Sequence, residues 1–273
     1  MTDRLLRAVD DALRARDAFA GHRLDRVTVG GAAVLVELVG PDGDRLAGLA
    51  HRPRGADSTA LGETVDALLA PIRGPEAGDG AAATHGRLER AAAVATLNAA
   101  SAPHVRWRTG DPMALLADDV ETVVTVGLFR PAFRKFDGVT VRVVEREPVG
   151  EVTAPDGVTV RTFEPGEARA AMADADVVFV TGSTFVYGGI ERYLDAAPDD
   201  ATVVLVGATA SLLPEPLFDA GVDVVAGARV DDPDRVRTAV ADGDCGTDLH
   251  DRGVRKVYVA RERPSTIRLR ETT

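Results

Sequence analysis

The chain has 273 residues, enough for one large domain or two modest ones, and 45% of them are hydrophobic, a normal fraction for a globular core. Its formal net charge of −11, from 43 acidic and 32 basic residues, argues against a nucleic-acid partner, which would require a basic footprint. No apolar run is long enough to cross a bilayer, so no membrane role is expected, and a single cysteine, Cys245, excludes an internal disulfide.

The basic residues are nearly all arginine; Lys135 and Lys256 are the only lysines. Asp outnumbers Glu. An acidic, Asp-rich, Lys-poor surface holds hydration in concentrated salt, where self-repulsion is screened, so a halophilic source is expected. A GC-rich genome would explain the arginine bias but not the Asp excess. The opening segment MTDRLLRAVDDALRARDAF lacks an apolar signal core and reads as an amphipathic helix with Leu5, Val9 and Leu13 on one face. A cytoplasmic protein is expected; the composition leaves homo-oligomer formation open.

In chain order, two strand-like runs follow that helix, Asp25–Val29 and Ala33–Val39. The turn Pro41-Asp42-Gly43-Asp44 leads to a third, Leu46–His51. Helical patterns cover Leu61–Ile72 and Leu88–Asn98, with a Gly/Ala/Pro/Glu loop at Gly74–Ala83 between them. Strands first and helices after suggest a small α+β domain over residues 1–105, with a linker near Ala102–Asp111.

From Asp111 the texture changes. Val-rich runs at Thr122–Val126, Val139–Val144, Val177–Thr181, Thr202–Val206 and Val222–Ala226 suit strands buried on both faces of a parallel sheet. Helical patterns lie between or after them, at Pro131–Phe136, Gly166–Ala173, Thr184–Ala196, Pro214–Ala220 and Pro233–Ala241. A further strand is expected at Val158–Thr162. The alternation predicts a doubly wound, Rossmann-like α/β domain over residues 111–273.

In such a sheet ligands bind beyond the carboxyl ends of the strands. The turns there are Gly127-Leu128-Phe129, Glu145-Arg146-Glu147-Pro148, Thr181-Gly182-Ser183-Thr184 and Gly207-Ala208-Thr209. Gly182 permits close backbone approach, and hydroxyls with unpaired amides at a helix start suit an anion; an ordinary N-cap is the competing explanation. Gly207 and Thr209 repeat that chemistry on the neighbouring turn. Glu145 ends the second Val-rich strand, where dinucleotide-binding domains place an acid on a ribose hydroxyl. Yet the first turn, Gly127-Leu128-Phe129-Arg130-Pro131, lacks the G-x-G-x-x-G cradle, which disfavours a conventional NAD site. No metal-binding spacing, nucleophile elbow or Walker motif occurs, and the histidines are scattered. The stretch Asp242–His250 is rich in side chains that could ligate, but it lacks the closing Glu of an EF-hand and reads as a polar loop.

The segments Asp174-Ala175-Asp176-Val177, Val180-Thr181-Gly182-Ser183-Thr184-Phe185-Val186, Val206-Gly207-Ala208-Thr209, Leu213–Asp223 and Ala226–Pro233 together resemble the DUF364 family. Gly48-Leu49-Ala50 and Ala95–Ala100 resemble, more weakly, its companion DUF4213 domain, an enolase-N-like α+β unit. Tyr187-Gly188-Gly189 and Ala208 depart from the family pattern at the expected ligand face. The resemblance implies an enolase-N-like unit joined to a Rossmann-like domain, with a role in heavy-metal chelation.

Three functions are open on this reading. A metal-handling protein would hold a divalent or heavy-metal ion, or a small metal complex, in the cleft between the units through Glu145, Glu147 and His51. An enzyme or sensor would bind a nucleotide-like small molecule through Gly127, Glu145, Thr181, Gly182, Ser183, Thr184, Gly207 and Thr209. A scaffold would use the fold alone.

Overall fold

A computed structural model of the chain describes residues 3–55, 60–73, 86–150, 152–244, 246 and 248–269. The expected loop at Gly74–Ala83 lies outside these residues, as do Cys245 and Thr247 of the polar stretch before His250. Among the described residues the strands form two sheets.

The first sheet is antiparallel and three-stranded, in the order β1 (Arg23–Val29), β2 (Ala33–Val39), β3 (Arg45–His51). Helices α1 (Asp3–Arg14), α2 (Val65–Arg73) and α3 (Gly86–Ser101) belong to the same half of the chain. Residues 61–64 of the expected Leu61–Ile72 helix precede α2 and are not helical. In β2 all but the last residue are buried, with no alternation. Both of its faces are covered. Val34, Val36 and Leu38 join the core that contains Leu69 and Ala95, while Leu35 packs with Val236 and Val240 of a C-terminal helix. The alanine-rich α3 is buried along its last three turns, and its small side chains let it lie directly on β3. At Gly48 a Cβ would stand 2.1 Å from the Ala95 carbonyl oxygen and 2.3 Å from the Ala99 nitrogen, so only glycine fits there.

The second sheet has eight strands in the order β4-β11-β10-β9-β8-β5-β6-β7. Six consecutive strands, ending at the β7 edge, are parallel: β5 (Thr122–Val126), β6 (Thr140–Val144), β7 (Thr159–Phe163), β8 (Val177–Thr181), β9 (Thr202–Val206) and β10 (Val224–Val230). Numbered within that set, the order is 3-2-1-4-5-6, that of a dinucleotide-binding fold. The α/β class expected from the Val-rich runs is therefore present. β11 (Val254–Ala260) and the two-residue β4 (Arg108–Thr109) add antiparallel strands at one edge. β4 places part of the expected linker inside this sheet. Asp111 follows it, and both lysines donate to one Asp111 oxygen, Lys135 at 2.5 Å and Lys256 at 2.7 Å. Burial pushes the Asp111 carboxyl up, but the two lysine bonds and charges outweigh it and leave the group below its ordinary range.

The connecting helices are short: α4 (Arg130–Phe133), α5 (Ala168–Met172), α6 (Thr184–Tyr187), α7 (Ile190–Leu194), α8 (Glu215–Asp219) and α9 (Pro233–Asp242). The single helix expected over Thr184–Ala196 is broken in two because Gly188 and Gly189 have φ of 90° and 94°, values that end a right-handed helix.

The two halves share one core. A continuous apolar cluster runs from Leu6, Leu69 and Ala95 to Val178, Phe185, Leu205 and Leu217. Buried Glu37 of β2 receives Arg237 of α9 at 2.7 and 2.8 Å and Arg45 of β3 at 2.6 Å, while Arg45 also reaches Asp234 of α9. Asn98 of α3 donates to the carbonyls of Leu49 (2.7 Å), Ala208 (3.2 Å) and Thr209 (3.3 Å), tying β3 to the turn after β9.

Candidate functional site

Strand order reverses between β5 and β8, and the crevice such a reversal leaves at the strand ends is where a doubly wound sheet receives ligands. A cavity of about 970 Å³ lies there. Its walls are the turns after β5, β6, β8 and β9, closed from the other half of the chain by the β1–β2 turn and the end of β3. Gly127, Glu145, Glu147, Thr181, Ser183, Thr184, Gly207, Thr209 and His51 all line it. Gly182 does not. A Cβ on Gly182 would stand 2.6 Å from the Ala210 nitrogen, so this glycine serves the packing of one turn on the next. Gly127 and Gly207 both need their glycine, with φ of 100° and 104°.

The hydroxyl-rich turn is largely self-satisfied. Thr181 Oγ1 lies 3.2 Å from Ser183 Oγ and accepts from the Ser183 amide at 3.3 Å. Thr184 Oγ1 donates to the Thr181 carbonyl at 2.7 Å. The helix that follows has only four residues, too few for a substantial dipole.

The expected metal ligands share the cavity but have other partners. Glu145 accepts from the Leu128 amide through Oε2 at 3.0 Å and from the Arg146 amide through Oε1 at 2.8 Å. Glu147 pairs with Arg54 at 3.0 Å. His51 Nε2 lies 3.1 Å from the Tyr187 hydroxyl, and the His51 amide donates to Thr209 Oγ1 at 2.9 Å. Among the described residues no three His, Cys, Asp or Glu side chains are grouped to hold a metal ion.

Arginine dominates the charged wall, with Arg52, Arg54, Arg130 and Arg146 against two glutamates. The guanidinium of Arg146 lies over the Tyr187 ring, 3.5 Å from its centroid, and Arg87 approaches the same ring at 5.6 Å. Among the described residues the guanidinium groups of Arg130 and Arg146 make no ion pair or hydrogen bond. Burial first, then the charges of Arg146 and Arg54, hold His51 below its ordinary 6.5, so its ring is neutral at pH 7. Sequence reading missed Tyr187, Arg54 and Arg146 as a group. Arg146 belongs to the turn after β6 and Tyr187 to the segment that departs from the family pattern, but only folding brings Tyr187 and His51, 136 positions apart, into contact.

A family model described as "Putative heavy-metal chelation" matches residues 111–260. The chain belongs to this family, DUF364. An uncharacterised protein of Methanocaldococcus jannaschii is 28% identical over 155 residues, which cover 54% of this chain and 57% of that protein. The chain thus aligns with little more than half the length of that relative. A DUF364 protein of unknown function from Pyrococcus horikoshii superposes with a TM-score of 0.74 at 20% identity, covering 95% of this chain and all of the other. A second, from Desulfitobacterium hafniense, gives a TM-score of 0.66 at 16% identity over 92% of this chain and all of that one. These likenesses establish the DUF364 fold over both halves of the chain. The helices are neither long nor apolar enough to cross a membrane among the described residues.

Proposed function

We propose that the cavity binds a small organic anion, carboxylate or phosphate ester, and that metal handling by this DUF364 protein proceeds through metal carried by such a ligand. The observation that carries this reading is the pair Arg130 and Arg146. Both line one cavity wall, and neither has a carboxylate partner among the described residues. An oxyanion is the natural complement of a planar guanidinium. The cavity volume lies at the upper end of the range for small-molecule sites. His51 would be the one nitrogen donor available to a ligand-borne divalent or heavy-metal ion.

On this reading residues 111–273 form the ligand-binding Rossmann-like domain, and residues 1–105, the enolase-N-like unit of the resemblance, supply the opposing wall. The protein acts in the cytoplasm. A nucleotide-like ligand is the second reading, favoured by Glu145 at the end of β6 in a 3-2-1-4-5-6 sheet. Against it, the first turn, Gly127-Leu128-Phe129-Arg130-Pro131, lacks the glycine-rich pyrophosphate cradle.

Untagged protein would be titrated with small carboxylates and phosphate esters, with and without Zn²⁺, Ni²⁺ or Co²⁺, and its metal content measured by elemental analysis. Anions should raise the melting temperature, and metal should be retained only with an anion. The R130Q/R146Q double variant should lose both responses. Tight metal binding without an organic anion, unchanged in that variant but lost in Glu145→Gln, would replace this reading with direct ligation by the protein.

A further inference from the structure

We propose that Arg146, laid on the ring of Tyr187, is the oxyanion seat of the cavity, with the His51 imidazole beside it. This rests on the reading that the cavity takes an organic anion, and it names the subsite that takes it. Arg146 stands between two glutamates in sequence and has neither as an ion-pair partner. Glu145 accepts from the backbone amides of Leu128 and Arg146, and Glu147 pairs with Arg54 across the cavity mouth. The Arg146 side chain instead lies on Tyr187 at 3.5 Å. That contact leaves the guanidinium N–H groups without a hydrogen-bond partner among the described residues, so the fork is available for a carboxylate or phosphoryl group.

Tyr187 also orients His51. The Tyr187 oxygen accepts from the Arg54 amide at 3.4 Å and lies 3.1 Å from His51 Nε2. The backbone of His51 is fixed separately, by its bond to Thr209 Oγ1. One tyrosine thus holds a cation and an imidazole on the same wall, and the cation comes from the Rossmann-like half while the imidazole comes from the other half. An anion seated there bridges the two.

The test uses the full chain and two probes, inorganic phosphate and citrate, with affinity read by calorimetry at fixed ionic strength. Loss of a charged hydrogen-bond partner predicts that Arg146→Gln weakens binding by about tenfold or more. Tyr187→Leu should weaken it similarly, whereas Tyr187→Phe, which keeps the stacking ring, should stay within about threefold of the parent. Arg229→Gln, a surface change at a residue paired with Asp231, should leave affinity unchanged. The Arg146 Nε–H resonance should move on titration in the parent and in Tyr187→Phe, a response that a purely structural tyrosine would not produce. If Arg130→Gln abolishes binding while Arg146→Gln binds like the parent, the anion-binding reading stands and this subsite assignment fails. If the parent binds neither probe, both fall.

Discussion

Removing Arg237 tests how firmly the two halves are joined, and so whether the cavity is preformed. Glu37 is 1% exposed, and Arg237, reaching it from α9, is 24% exposed. Burial pushes the Glu37 carboxyl up, but the hydrogen bonds and charges of Arg237 and Arg45 outweigh that and hold it below 4.5. Breaking a buried pair from one side leaves an uncompensated charge, so Arg237→Ala should cost about 3 kcal/mol, at the low end of the range because Arg45 remains. For a chain of this size that corresponds to a fall of about 6–12 °C in melting temperature. The Glu37→Leu/Arg237→Leu double variant should lose much less than the sum of its singles, because it strands no charge and Arg45 keeps Asp234. The sign with pH follows from the depressed carboxyl. Its stabilisation is complete above 4.5 and is lost as pH falls through the lower folded value, so the gap between parent and Arg237→Ala should narrow in acid. Urea melts at pH 7 and pH 4 measure all of this. A loss below about 1 kcal/mol for Arg237→Ala, or strict additivity in the double variant, would refute the view that this network binds the halves together.

Melting temperature should rise from low salt to molar KCl if the acidic excess is a halophilic adaptation; equal values would leave codon bias as the explanation. Gly48→Ala should destabilise by more than about 3 kcal/mol, since the new methyl would meet α3 backbone that cannot give way, and a change under about 1 kcal/mol in urea would show that α3 can shift. His51 and His250 are both held below 6.5, chiefly by burial, so each favours the folded state above that value, and stability should decline as pH drops below 6.5. His51→Asn should flatten that decline; an unchanged slope in thermal melts from pH 7 to 5 would place the titration elsewhere.

The parts of the fold that were legible in sequence are those where both faces of a strand are buried. β5, β8 and β9 coincide with their Val-rich runs because a continuous apolar stretch has no other stable place in a doubly wound sheet. β11 was not foreseen. Its sequence, VRKVYVA, follows a polar stretch, and its partner β10 is antiparallel, so the strand–helix alternation gave no cue. The break at Gly188-Gly189 was written in the chain, but it was overridden by the apolar pattern on either side. The cavity turns were legible because topology dictates them. The commitments of their side chains were not. That Glu145 accepts from Leu128, or that Arg146 lies on Tyr187, depends on distances between turns that no local pattern encodes.

A shared core changes what such a cavity can do. In many two-domain proteins the ligand closes a hinge and must supply the energy of closure from its own contacts. Here α3 lies against β3 with no room for a methyl at Gly48, and Asn98 reaches from α3 to both walls of the cavity. α9 packs on the far face of the first sheet and carries Arg237 to Glu37. Opening the halves would expose the apolar cluster that runs through both of them and strand a buried carboxylate. The arrangement therefore favours a wall held in place before the ligand arrives, with the adjustment left to exposed side chains such as Arg54 and Glu147 at the mouth. Preorganisation of this kind lowers the entropic cost of binding and tightens selection by shape and charge. It also makes the unpaired arginines meaningful. Arg130 and Arg146 are exposed, and on a fixed wall Arg146 has the Tyr187 ring to rest on, 3.5 Å from its centroid, so the proposed anion would meet a guanidinium already in place.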